Sequence, residues 1–161
     1  MARRDLEFGI TPSVLDRLID LDPRASQESV KSQRTTVQEF KQHVKRDLEW
    51  LLNCRAYPGY VDDHLEEVPR SVALFGLPDF TGVNAQTGEE QDRLTQMMQS
   101  VIERFEPRFI NVKITLGPVS NVDKSLKFHI EALLDLEPTP EPIEFDTVLQ
   151  LANGGFAVTA R

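Results

Sequence analysis

Nucleophilic or metal chemistry in this chain would have to draw on His43, His64, His129 and Cys54, its three histidines and one cysteine. None stands in a C-x-x-C or H-E-x-x-H spacing, so no metal ligand set is expected. No G-x-x-x-x-G-K-[ST] or G-x-G-x-x-G loop is present to cradle a phosphate, and no cofactor is expected. His43 falls beside the apolar stripe of a helical segment, His64 in an acidic loop, and His129 on the polar side of an alternating segment. Cys54 follows the end of a helical pattern and reads as a small packing residue. A glycosidase needs two carboxyls, one kept protonated near neutral pH by burial. The pairs Asp62/Asp63 and Glu66/Glu67 sit among polar neighbours, which predicts a solvated acidic loop.

Glu106-Pro107-Arg108 is different, because it places charge where local structure does not favour it. A carboxylate at a helix C-terminus opposes the macrodipole, and Phe105 and Phe109 on either side imply partial burial. Read as extended chain bent at Pro107, the tripeptide puts Glu106 and Arg108 on one side. Two readings stay open. The residues by themselves slightly favour an internal ion pair pinning a helix to a sheet over an exposed docking site.

The elements that position these residues follow from periodicity. Thr11-Pro12 opens a short amphipathic helix with Val14, Leu15, Leu18 and Ile19 on one stripe. Residues 20–35 are polar and aperiodic and read as a flexible linker, leaving that first helix able to dock away from the rest. Thr36-Val37-Gln38-Glu39 has the capping-box pattern, and Val37, Phe40, Val44, Leu48, Leu51 and Leu52 predict a helix over 37–53. After the acidic loop, Ser71 to Phe75 predicts one or two helical turns closed by Gly76, followed by a turn at Leu77-Pro78-Asp79-Phe80-Thr81-Gly82. Thr87-Gly88-Glu89-Glu90 is a second capping box, opening a helix over 88–105 that Pro107 ends.

Alternation of period two then predicts strands over 109–116, 126–134, 143–151 and 156–159. Asn153-Gly154-Gly155 suits a tight antiparallel hairpin, and Pro138, Pro140 and Pro142 read as a stiff connector. The expected fold class is α+β, with N-terminal helices packed on one face of a mainly antiparallel sheet. Residues 1–35 would be an arm and 36–161 a single domain, in keeping with a length of 161 residues.

Composition narrows the function classes. A hydrophobic content of 40% and a charged content of 27% fit a globular protein, and the net charge is −8. That charge is uneven, about +1 over residues 1–56 and −9 over 57–161. Such an acidic body repels nucleic acid and anionic lipid. The basic residues Lys31, Arg34, Lys41, Lys45 and Arg46 alternate with Glu39, Asp47 and Glu49, the pattern of a solvated face or protein contact. Met1 to Glu7 lacks the apolar run of a secretory signal, no membrane-length apolar stretch occurs, and a lone cysteine suits a reducing compartment. A cytoplasmic location is expected.

Taken in order, several stretches resemble one family, the TssE subunits of type VI secretion baseplates, related to wedge proteins of contractile-phage baseplates. They are Leu15-Asp16-Arg17-Leu18, Val44 to Asn53, Ser71 to Gly82, Arg104-Phe105-Glu106-Pro107-Arg108, and Phe128 to Leu149. The resemblance implies a structural, non-enzymatic subunit built into the wedge with TssF, TssG and TssK around the spike hub VgrG. It also implies a platform for the TssB/TssC sheath, with the sheet accepting sheath strands by edge addition. It makes Glu106, Pro107 and Arg108 the partner-binding residues, with Arg108→Ala expected to abolish wedge incorporation while leaving the domain folded. The family's historical lysozyme label supplies the alternative, a peptidoglycan-cleaving hydrolase using two of the carboxylates.

Overall fold

The computed structural model describes residues 13–19, 33–62, 64–79, 87–117, 125–137, 139–150 and 154–160. Three α-helices, α1 (Val14–Leu18), α2 (Gln33–Asn53) and α3 (Gly88–Phe105), precede four strands. The strands are β1 (Phe109–Leu116), β2 (Ser125–Leu134), β3 (Glu141–Gln150) and β4 (Gly155–Ala160). They pair in sequence order, β1-β2-β3-β4, and every pair is antiparallel. The fold is α+β.

Alternation along the strands sends one set of side chains toward the helices. Phe128, Ile130, Phe145, Leu149, Phe156 and Val158 are buried on that face. Val44, Leu48, Leu51 and Leu52 of α2 and Leu94, Met98 and Ile102 of α3 close the same core. Helix α3 lies along β1 and α2 along β4. Each fully buried large side chain, such as Phe128 or Phe145, contributes about 1.5–3 kcal/mol, so this layer holds the fold together. The opposite face carries His129, Glu131, Glu144 and Asp146, with His129 Nδ1 2.9 Å from Asp146 Oδ1.

Local signals account for most element ends. Thr87 caps α3 through a reciprocal capping box: its Oγ1 accepts from the Glu90 N–H, and the Glu90 carboxylate accepts from the Thr87 N–H. Helix α2 differs: it begins at Gln33, so Thr36 lies inside it and the capping pattern there marks no helix start. Its apolar face packs against the sheet through Val44, Leu48, Leu51 and Leu52. Pro142 belongs to β3, opposite Leu133, and its carbonyl accepts from Lys41 Nζ at 3.1 Å.

Strict alternation along β1 is also broken. The register shifts between Ile110 and Lys113, and Asn111 has a φ of 54°. This is a β-bulge with asparagine in the left-handed region, which that side chain tolerates. It allows both Phe109 and Val112 to face the core. In the hairpin, Gly154 takes a φ of 65° and donates its N–H to the Gln150 carbonyl at 2.8 Å. Residues 20–32, Asp63, Phe80 to Gly82, Pro138 and Asn153, all assigned roles from sequence, lie outside the described residues.

Candidate functional site

The site is built where three elements meet: the end of α3, the middle of α2 and the short helix α1. After Phe105 the chain makes a turn at Pro107 and Arg108, with the Phe109 N–H donating to the Glu106 carbonyl at 3.1 Å. The tripeptide is therefore not extended. Glu106 and Arg108 still meet, because the turn folds the guanidinium back over the carboxylate. Arg108 Nε donates to Glu106 Oε1 at 2.5 Å and Nη2 to Oε2 at 2.6 Å. Glu106 is only 4% exposed, so this fork supplies the compensation that a carboxylate at a helix C-terminus requires.

Arg108 reaches further. Its Nη2 also donates to Asp47 Oδ2 at 2.9 Å, and its guanidinium stacks 5.7 Å from the Phe40 ring centre. Asp47 in turn accepts from Arg46 Nη2 at 2.7 Å, and Arg46 Nη2 donates to Asp16 Oδ1 at 2.7 Å. His43 Nδ1 lies 3.3 Å from Asp16 Oδ2. The result is a continuous chain of charge, Glu106, Arg108, Asp47, Arg46 and Asp16, running from the helix-to-strand turn to α1. Three carboxylates face two guanidiniums and one imidazole. Burial works against ionising both arginines, yet their carboxylate partners outweigh it and hold each guanidinium above its ordinary range.

Helix α1 is consequently held the opposite way to an ordinary surface helix. The side chain of its polar residue Asp16 is only 1% exposed, while Val14 and Leu18 are 73% and 77% exposed. The expectation that the first helix docks away from the rest is corrected, because Asp16 latches it to α2. Burial favours the neutral carboxyl of Asp16, but hydrogen bonds from Ser13 and Arg46 and the charge of His43 outweigh it and hold its pKa below the ordinary carboxylate value. A folded-state pKa below the unfolded one gives stability that is present above about pH 4 and lost as pH falls further. An acid titration followed by Trp50 fluorescence should therefore show α1 releasing below about pH 4. Asp16→Asn should give the released signal already at neutral pH, with the far-UV spectrum unchanged.

The charge chain borders an open groove of about 360 Å³. Glu106, Pro107 and Arg108 line it together with Asp47, Trp50, Phe75 and Phe105. Phe75 and Phe105 meet edge to face at 5.4 Å and form its apolar wall. Trp50 is 52% exposed, with Arg46 5.2 Å from its ring centre. A groove with one aromatic wall and a rim of fixed charges has the chemistry to accept an amphipathic segment.

The remaining sequence candidates are dispersed. His64, Asp62, Glu66 and Glu67 are exposed, and the loop that carries them gives none of these carboxyls the burial a general acid needs. Glu106 is buried, but both its oxygens are engaged by Arg108. Cys54 packs against Gly76. No cluster of three or more metal-ligating residues occurs among the described residues. Asp16, His43, Arg46, Asp47 and Trp50 escaped assignment to the site, although Leu15 to Leu18 and Val44 to Asn53 carried part of the family resemblance.

The molecule is thus an antiparallel sheet roofed by helices, with a charge chain that ends in a groove. The family model for baseplate wedge protein gp25 matches residues 38–139, and the chain belongs to that family, which also contains TssE. Its role is that of a structural baseplate component, interacting with other baseplate components. No curated protein matches the chain. Among the described residues no helix is long and apolar enough to cross a membrane.

Proposed function

We propose that this chain is the TssE-type subunit of a type VI secretion baseplate. It docks into the wedge with TssF, TssG and TssK around the hub VgrG and serves as a platform for the TssB/TssC sheath, on the cytoplasmic side of the inner membrane. Residues 36–161 act as the wedge domain, and residues 1–35 as an arm attached through α1. The partner segment sits in the groove beside Glu106, Pro107 and Arg108.

The observation that carries this reading is the state of Arg108. Its Nε and Nη2 are paired inside the chain, yet its side chain remains 23% exposed on the groove wall beside Pro107 and the half-exposed Trp50. The tripeptide thus serves as internal strut and as docking surface together, and the two readings left open by the sequence are not exclusive. A surface change separates the roles. Trp50→Ala removes an aromatic wall without touching the strut, so stability should change by less than about 1 kcal/mol. Co-purification with the neighbouring wedge subunits should fall at least about tenfold, as for an exposed aromatic anchor. Undiminished capture by the variant would remove the groove from the docking surface.

A further inference from the structure

Large hydrophobic side chains left in water are unevenly placed. Among the described residues they belong to α1, to Trp50 or to the connection between α2 and α3, and none belongs to α3 or the sheet. In that connection Tyr60 and Val72 are 85% and 88% exposed, and Tyr57 and Leu65 are more than half exposed. Single exposed apolar residues are ordinary, but a group of them on one connection marks an interaction surface.

The connection is built to hold them there. Its base is pinned where the Ala56 N–H donates to the Leu77 carbonyl at 3.0 Å and the Tyr57 N–H to the Ala73 carbonyl at 2.9 Å. The second bond sets Tyr57 beside Val72 and Ala73. Between these ends the chain turns on itself repeatedly, with the N–H groups of Leu65, Val68, Arg70 and Leu74 donating to the carbonyls of Asp62, Leu65, Glu67 and Ser71. The Ser71 hydroxyl caps the last turn by accepting from the Ala73 N–H. The Tyr57 ring lies across Gly59, which leaves room for it and is followed directly by Tyr60. A surface ordered in advance loses little entropy when a partner arrives.

Charge names the occupant. Residues 57–72 hold four acidic residues, Asp62, Asp63, Glu66 and Glu67, against one arginine, Arg70, and no lysine. Glu66 and Glu67 are exposed, and no described residue pairs with either carboxylate. Carboxylates attract cations, and so do the faces of tyrosine rings. A guanidinium serves both, because it stacks on a ring and bridges to a carboxylate. We propose that residues 57–72 form a second docking surface, which takes an arginine-bearing segment of another baseplate component. Apolar side chains of that segment cover Tyr60 and Val72. The same carboxylates disfavour anionic lipid and nucleic acid, and a net charge of −8 disfavours a second copy of this chain. The proposal rests on the baseplate role of the family, and on the TssE-type reading for the choice of probes.

Capture of purified components of the same secretion system tests it, with the wedge complex of TssF, TssG and TssK, the hub VgrG and the TssB/TssC sheath each presented alone. Tyr60→Ser/Val72→Ser alters two side chains that lie almost wholly in water, so the thermal midpoint should move by about 4 °C or less. Capture of at least one component should nevertheless fall at least about tenfold. Glu66→Lys/Glu67→Lys should reproduce that loss, and the same capture by the unaltered protein should weaken as salt rises from about 0.1 to 1 M. Undiminished capture of every component by both variants would overturn the docking surface and leave the TssE-type reading standing. A loss with only one of the two variants would overturn the stated occupant, which engages both groups. A dimer of the unaltered protein in sedimentation, abolished by Tyr60→Ser/Val72→Ser, would assign the surface to a second copy and overturn the proposal. No capture of any component by the unaltered protein would overturn both this proposal and the TssE-type reading.

Discussion

Arg108→Ala is expected to destabilise the isolated domain by about 3 kcal/mol, because it leaves the Glu106 carboxylate buried without its partner. Glu106 is 4% exposed with the guanidinium in place. Asp47 also loses a donor, and the link between α2 and the α3-to-β1 turn is cut. For a domain of this size the midpoint of thermal unfolding should fall by about 6–12 °C. This departs from the expectation that the variant leaves the domain folded and merely undocked, since the pairing is internal. The double variant Glu106→Leu/Arg108→Met separates the two roles. A buried ion pair replaced by apolar groups of similar size is often neutral or stabilising, so the double variant should regain most of the lost stability. It should still fail to capture wedge subunits, because the charged wall of the groove is gone. Calorimetry and co-purification on the same three proteins measure both effects. Recovery of docking together with stability would make Arg108 a strut only.

Gly76→Ala is the second large effect, expected to cost about 3 kcal/mol or more. Gly76 has a φ of 112°, a conformation that side-chain-bearing residues rarely adopt. An added Cβ would lie 2.5 Å from the Cys54 carbonyl oxygen, which is backbone and has little room to move. That carbonyl accepts from the Leu77 N–H at 3.0 Å, and the Leu77 carbonyl accepts from the Ala56 N–H at 3.0 Å. The glycine therefore holds a short parallel junction between the end of α2 and the buried Leu77. Loss of the junction should loosen Phe75, which walls the groove, and weaken docking as well as stability. A chemical-denaturation series on Gly76→Ala reads the first effect, and wedge capture at low temperature reads the second. A cost below about 1 kcal/mol would mean the junction relaxes freely.

Much of the frame was legible in the sequence because it is written in local terms. The capping box at Thr87, the stripe from Leu94 to Phe105 and the proline at 107 set the helix that carries the site. Period-two alternation exposed the strands, and it failed at Asn111 because a bulge obeys the pairing partner and not the chain's own rhythm. The capping pattern at Thr36 misled because the same four residue types also fit the interior of a helix, and α2 starts before them at Gln33. The awkward charge at Glu106 was visible as a problem needing a partner, and Arg108 two residues on was the near candidate.

What the sequence by itself determined, then, is the α+β pattern, the location of the helix-to-strand turn and Arg108 as the near candidate partner of Glu106, all of which depend on residues close together in the chain. Only the tertiary structure decided that Asp47 and Asp16 extend the pair into a chain of charge, across separations of 61 and 30 residues. It also decided that α1 shows its apolar face to solvent, and that Asn53 reaches across 103 residues to close one rung of β4. Charged and amide groups carry no periodicity that names a distant partner. Their positions follow from where the hydrophobic faces of α2, α3 and the sheet come to rest, and the polar contacts form among whatever side chains that packing leaves at the rim.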